Sequence, residues 1–336
     1  MHKTSSESAS TRRIWLAALL SSSLCGILIF LFCPASIWES IREIRLEWAA
    51  AGLSFFVLNL VARGMRLSTL AGKGQNASAS QWMHCAARHQ FMFSILPSAS
   101  GDISFPYLGN KLCGLDYGNA TRVIALYRVQ DMVALAGLLL FGLALQSSEL
   151  LIITSATIVI PIALYWSEGV IGGAFRFLLT SVCKVPKIRQ LRIVTRLETL
   201  VENSESESTK LESFVRFRLV AWTILSWSLS AATFWCLFAM VGEYLPIGKI
   251  CLIVAALNLF GTLNAFTIGG FGIGESALAT ILIYLQYSYD SAVSIALIVR
   301  PSALGVTLVG CLVIELLIIA AKLGVRSTVV SAKPSH

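Results

Sequence analysis

The chain has 336 residues, of which 56% are hydrophobic and 13% charged, with a formal net charge of +8 and a mean hydropathy of +0.75. Soluble domains carry about 25% charged residues, so a water-soluble enzyme is excluded, and so is a disordered chain, which needs low hydrophobicity and high charge. At about 20 apolar residues per crossing there is room for roughly six to eight membrane spans and little else.

In chain order, residues 1–13 form a polar tail with Lys3, Arg12 and Arg13, expected on the cytoplasmic side. The apolar run 14–33 reads as an uncleaved first span: it outruns a signal-peptide core, and Pro34-Ala35-Ser36 is no A-x-A site. A near-neutral outer loop, 34–47, precedes a second span at 48–61, which ends in Arg63 and Arg66 with Lys73 soon after, marking the cytoplasmic face. The stretch His89 to Pro97 is apolar but too short to cross. It breaks at Pro97-Ser98-Ala99-Ser100-Gly101-Asp102 and is followed by a second short segment, 103–115. Two half-length segments around a Pro/Gly break predict a re-entrant hairpin, with its irregular backbone covered by protein or lining a cavity.

Spans are predicted at 123–145 and 150–166, joined by a tight turn at Gln146–Glu149. Residues 167–218 are the one long loop, basic before position 197 and acidic and serine-rich from Glu198 to Glu212, hence cytoplasmic. Within it, 175–197 reads either as an amphipathic helix on anionic headgroups or as a solvated linker. A span at 219–241 leads to an apolar stretch, 250–268, interrupted by Asn258, Gly261 and Asn264, which runs into Gly269-Gly270-Phe271-Gly272-Ile273-Gly274-Glu275. A short helix at 276–285, a last span at 291–321 and a cytoplasmic tail at 323–336 complete the chain. The expected fold is an all-α integral membrane protein with one transmembrane domain, 14–322. It has six to eight transmembrane helices, two broken hairpins and both termini in the cytoplasm.

The basic residues sit at the ends of apolar runs and in one loop, without aromatic interleaving, so nucleic acid is not an expected partner. The eight cysteines form no C-x-x-C, and Cys25, Cys33, Cys236, Cys251 and Cys311 lie in apolar stretches, where a thiol acts as a small hydrophobe. Away from the termini the histidines are His84 and His89, whose spacing of five does not share a helix face. No metal and no cofactor is expected.

The two broken regions look alike. Gly101-Asp102 is followed by Arg128 and Gly274-Glu275 by Arg300, 26 and 25 residues after the acid. On the topology above, the first hairpin enters from the cytoplasm and the second from outside, the arrangement of inverted repeats whose broken helices meet at the bilayer midplane. A charge at a span centre costs about 2.5–3.5 kcal/mol, so such residues face inward and pair. Asp102, Arg128, Asp131, Glu275 and Arg300, with Gly101, Gly270 and Gly274, are therefore the candidate substrate-binding set. Arg128 and Asp131, three apart, are expected to pair within one span. Arg63, Arg66, Arg122 and Glu315 are secondary candidates; for Arg122 and Glu315 locking of spans or snorkelling is as open as function. Pro301 is expected to kink the last span. Gly101-Asp102 and Gly274-Glu275 are each expected to precede a helix, whose N-terminal N–H groups attract phosphate or carboxylate.

The ordered set of Arg63 and Arg66, Leu96-Pro97 with Gly101-Asp102, Arg128 with Asp131, Gly269 through Glu275, and Arg300 resembles the lysylphosphatidylglycerol synthase transmembrane-region family. The family is also called flippase-like domain proteins and includes the membrane half of the multiple peptide resistance factor. Ser104 stands where that family commonly has an arginine, and Thr267-Ile268 where it has Leu-Pro. The resemblance implies a lipid-translocating or lipid-biosynthesis-linked protein of a bacterial inner membrane, without the aminoacyl-transfer domain.

The leading expectation is a non-enzymatic flippase moving a phosphate-bearing lipid, either a phospholipid or a polyprenyl phosphate, between leaflets. The alternatives are an intramembrane enzyme acting on lipid or polyprenyl substrates, for which no aspartate-rich metal site, H-E-x-x-H or G-x-S-x-G is present, and a non-catalytic accessory of a lipid pathway. A homodimer and a lipid-biosynthesis enzyme are the protein partners considered.

Overall fold

A computed structural model describes residues 42, 44–72, 76–96, 98–147, 161–165, 213–261 and 272–331. The predicted first span at 14–33, nearly all of the predicted span 150–166, the bulk of the long loop and Gly269-Gly270-Phe271 lie outside the described residues. The described residues form eight principal helices: α1 Leu46–Ala71, α2 Ala79–Ile95, α3 Ser98–Cys113, α4 Tyr117–Ser147, α5 Ser213–Met240, α6 Ile247–Gly261, α7 Ile273–Tyr284 and α8 Tyr289–Ser331.

Four of these, α1, α4, α5 and α8, are long and apolar enough to cross a bilayer, matching the four predicted spans that fall on described residues. At 31 residues α4 is about 46 Å long, and the hydrocarbon core is about 30 Å thick. Helices α6 and α7 are apolar but short. Helix α2 is less apolar because it carries His84, Arg88, His89 and Gln90, whose partners lie inside the molecule. The chain is thus an all-α membrane protein.

Local chemistry sets the element ends. Ser78 caps α2 in a capping box, with Gln81 Oε1 accepting from the Ser78 N–H at 2.7 Å. Helix α2 stops where Pro97 follows Leu96, because a residue before proline is driven to extended backbone, and Leu96 is extended. Asp116 Oδ1 accepts from the N–H groups of Gly118 and Asn119 at the head of α4. Gln81 Nε2, in the first turn of α2, donates to the carbonyl of Leu112, in the last turn of α3. That bond brings the open ends of the hairpin together on one side.

Three details differ from the sequence reading. Helix α3 begins at Ser98, so Gly101 and Asp102 lie inside it rather than before it. Helix α7 begins at Ile273, so Gly274 and Glu275 sit in its first turn. In both cases the chain winds as soon as the break is passed, because each further residue adds a helical hydrogen bond once a turn exists. The last helix, with Pro301 inside it, continues past the predicted span to Ser331, into the predicted tail.

The element order reads long, short, short, long, twice over. The packing repeats it: α1 lies on α5; α4 packs on α6 as α8 packs on α2; α3 meets α4 as α7 meets α8. The pairs α2 with α3, α1 with α2, α1 with α8 and α1 with α4 likewise recur as α6 with α7, α5 with α6, α5 with α4 and α5 with α8. Left-handed residues recur at matching turns, Gly72 (φ 84°) after α1 and Gly242 (φ 83°) after α5, and Gly114 (φ 71°) before α4 and Gln286 (φ 71°) before α8. The central pair is antiparallel. The Arg45 N–H donates to the Met240 carbonyl at one end, Asn59 bonds Ser226 and Ser230 at the crossing, and Leu67 shares an apolar cluster with Leu219 at the other. A two-fold that exchanges antiparallel helices is perpendicular to them, so for spanning helices it lies in the membrane plane, the geometry of an inverted repeat.

Close backbone approaches hold the bundle, as expected where lipid removes the hydrophobic drive between helices. A Cβ on Gly142 of α4 would lie 2.8 Å from the carbonyl of Gly248 of α6. Leu140, Leu143, Leu312, Leu316, Leu317 and Ile319 point outward, as lipid-facing side chains do.

Candidate functional site

The first repeat carries a connected set of charges at the junction of α1, α2, α3 and α4. Arg66 on α1 is fully buried, with its guanidinium divided among three acceptors on α4: Asp131 Oδ1 at 2.7 Å, Gln130 Oε1 at 3.1 Å and the Tyr127 carbonyl at 2.9 Å. It also stacks 4.1 Å from the centre of the Tyr127 ring. Trp227 on α5 donates its indole N–H to Asp131 Oδ1 at 3.2 Å. This charge pair is dry and well supplied with hydrogen bonds, the condition under which burying charge is sustainable.

Arg128, one turn earlier on α4, grips Asp102 on α3. Its Nε lies 3.0 and 2.9 Å from the two carboxylate oxygens and its Nη2 2.6 Å from Oδ1. The other face of the guanidinium lies over the Phe93 ring of α2, 4.4 Å from its centre. His89 Nε2 of α2 completes the group, 3.2 Å from Asp102 Oδ1. About a third of the Asp102 side chain remains exposed, and slightly less of Arg128. The expected pairing of Arg128 with Asp131 survives as a contact of 3.7 Å, but each residue makes its shorter bonds elsewhere. The reason is geometric: residues one turn apart meet only side by side, whereas a residue on a facing helix can approach head on.

Gly101 is required by the hairpin's own closeness. A Cβ there would lie 2.6 Å from the Cα of Phe93, a backbone atom that cannot give way. On the same side Arg63 donates to Gln90 Oε1 at 2.6 Å and to Asn59 Oδ1 at 3.3 Å, joining α1 to α2.

The second repeat presents the matching residues differently bonded. Arg128 and Arg300 are each the twelfth residue of their helices, α4 and α8. Glu275, in the first turn of α7, accepts from the Gly272 N–H through Oε2 at 2.6 Å and so caps its own helix. Arg300 lies against that turn: a Cβ on Gly274 would be 2.5 Å from Arg300 Nε and 3.2 Å from Cζ and Nη2. The Nε of Arg300 is buried and has no hydrogen-bond partner among the described residues.

The structure therefore brings Asp102, Arg128, Asp131 and Arg66 into one network with Gly101 beneath it, and Glu275, Arg300 and Gly274 into a second group. Arg63 belongs to the edge of the first. Arg122 is half-buried on α4 and makes none of the ion pairs found among the described residues. Glu315 sits elsewhere, pairing with Arg88 Nε at 2.8 Å and lying 2.8 Å from His84 Nε2, so that it ties α8 to α2. Gly270 lies outside the described residues.

Sequence reasoning missed His89, Gln90, Asn59, Trp227, Arg88 and His84 as members of these networks. The signal that could have flagged His89 is its place at the head of the apolar stretch His89 to Pro97, where a polar side chain needs a partner. Among the described residues no group of three or more metal-ligating side chains occurs.

Chemically, the first network is a neutral, self-satisfied set. The second offers a buried cation with donor capacity to spare beside a helix N-terminus, an arrangement suited to an anion.

No curated protein and no solved structure matches the chain. A family model does, that of the lysylphosphatidylglycerol synthase TM region, over residues 14–310. With the match covering most of the sequence, and the antiparallel repeats carrying the resembling residues at corresponding places, the chain belongs to the lysylphosphatidylglycerol synthase transmembrane-region family.

Proposed function

We propose that the protein binds a phosphate-bearing lipid and moves it between leaflets, without performing chemistry on it. The observation that supports this best is the recurrence of an acid and an arginine, Asp102 with Arg128 and Glu275 with Arg300, at corresponding places in two oppositely directed repeats. A headgroup crossing a bilayer needs polar stations within the hydrocarbon, since an unpaired charge there costs several kcal/mol. Two stations related by an axis in the membrane plane face the two leaflets in turn. Family membership supports a membrane lipid-related role; the lipid, a phospholipid or a polyprenyl phosphate, and the placement of both termini in the cytoplasm of a bacterial inner membrane belong to the proposal.

The test is reconstitution into vesicles carrying a fluorescent phospholipid in both leaflets, with a bilayer-impermeant quencher added outside. Protein-dependent loss of the protected half of the signal is the expected result. No movement of an anionic phospholipid, a zwitterionic phospholipid or a polyprenyl phosphate overturns the proposal.

A further inference from the structure

Corresponding arginines in the two repeats meet different fates, and the difference identifies where the anion sits. Arg128 is occupied: Asp102 supplies a carboxylate to its fork through three short contacts. Among the described residues no carboxylate occupies the fork of Arg300 in this way. The matching acid, Glu275, is turned away onto the Gly272 N–H. Arg300 Nε is buried and unbonded, pressed against the backbone of Gly274 at the start of the twelve-residue helix α7.

Arginine remains ionised even in such a place; Glu275 acts on it through space but makes no hydrogen bond to Nε, and a buried donor left without a partner is costly. The neighbouring helix N-terminus adds partial positive charge of its own. Two sources of positive potential converge here, and the one carboxylate beside them is engaged with a backbone donor.

We infer that Arg300 and the first turn of α7 form the anion site of the conformation described, that the anion is a phosphate mono- or diester, and that Asp102 is a built-in competitor holding the equivalent site on Arg128 closed. The protein then holds one phosphate group at a time, at Arg300 while Asp102 is on Arg128. Glu275 moving from Gly272 to Arg300 is the counterpart step that would expel the anion from the second repeat. This deepens the lipid-binding reading above and rests on it for the lipid source of the phosphate; free phosphate carries the same chemistry.

The experiment counts ligands on the full-length protein in nanodiscs of zwitterionic lipid doped with phosphatidylglycerol, by native mass spectrometry after release. Inorganic phosphate is added in a parallel arm. Wild type is expected to retain one phosphatidylglycerol and Arg300→Met none, with at least a tenfold loss of occupancy. Asp102→Asn, which frees Arg128 without changing shape, is expected to retain two, and the double variant one. Arg300→Met leaves Glu275 on the Gly272 N–H, and the melting temperature of the variant, read alongside, distinguishes loss of ligand from unfolding.

Displacement of the lipid by millimolar inorganic phosphate would assign the site to free phosphate; resistance to it assigns the site to the headgroup. Undiminished occupancy in Arg300→Met, or a single ligand on Asp102→Asn, overturns the inference. The two readings fail separately. Lipid movement in vesicles with occupancy indifferent to Arg300 would sink the site and leave translocation standing, whereas the expected occupancies without movement would do the reverse.

Discussion

Arg128 and Asp131 lie one turn apart on α4, with Nη1 3.7 Å from Oδ2, yet their shorter bonds pull in different directions, Arg128 to Asp102 on α3 and Asp131 to Arg66 on α1. Helix α4 is thereby fastened on two sides by unlike joints. The joint to α1 is fully enclosed, whereas the joint to α3 is part-exposed, with about a third of its carboxylate open.

The two joints should respond differently to the same change. Asp131→Asn strands Arg66 without a counter-charge in a dry site and is expected to cost about 3–5 kcal/mol. Asp102→Asn, in a part-exposed pair with His89 still at hand, is expected to cost about 1 kcal/mol or less. Thermal unfolding of the detergent-purified variants reads the difference. Equal melting temperatures would show that the Arg66 network is not the structural one.

The antiparallel seating of α1 on α5 can be captured covalently. A Cβ built on Gly52 lies 3.4 Å from Cβ of Cys236, close to the separation of about 3.5–4.5 Å found in disulfides. Gly52→Cys is expected to cross-link to the native Cys236 under a membrane-permeant oxidant such as copper phenanthroline. Loss of both thiols to alkylation, restored by reductant and absent in a Cys236→Ser background, is the signature. A Gly52→Cys thiol that stays free would contradict this helix pairing.

Glycines at the two charge stations should differ in kind when replaced by alanine. At position 101 the new methyl meets the Phe93 backbone at 2.6 Å, so Gly101→Ala is expected to destabilise the α2–α3 hairpin by about 1–3 kcal/mol through overpacking. At position 274 it meets the side chain of Arg300, which can swing aside. Gly274→Ala is expected to melt near wild type while losing phosphatidylglycerol. The reverse pattern would refute the assignment of Gly274 to ligand binding.

Glu315 should act as a latch rather than as part of a binding site. Its pair with Arg88 is part-exposed, so Glu315→Gln is expected to cost less than about 1 kcal/mol. It removes a tie between α8 and α2, beside which Cys311 is buried with Ala87 and Phe56. Faster labelling of Cys311 by a membrane-permeant maleimide is the expected outcome. An unchanged rate would mean that packing alone closes this interface.

The sequence makes some of this legible and hides the rest for a physical reason. The breaks at Pro97 and at the glycine run, and the recurrence of acid and arginine 26 and 25 residues apart, are local patterns, and local patterns survive in one dimension. Arg66 with Asp131, 65 residues apart, and Asn59 with Ser226, 167 apart, depend on which helices become neighbours. No spacing encodes that: the short-range rule finds the Arg128–Asp131 contact but not the shorter bonds each makes to another helix. Helix starts at Ser98 and Ile273 were hidden because glycine reads as a breaker, whereas Gly101 and Gly274 serve to let another group come close.

An object that a half-turn leaves nearly unchanged offers no arrow of its own. Viewed from either side of the bilayer, the described helices present the same order of long and short, so that order by itself ranks neither leaflet above the other. Among the described residues the halves part company at Asp102 against Glu275, at the Arg66–Asp131 joint of the first half, and at the charged tie of Arg88 with Glu315 between α2 and α8 against the glycine seam of Gly142 and Gly248 between α4 and α6. What distinguishes one face from the other among the described residues therefore rests on side chains, not on the order of the helices.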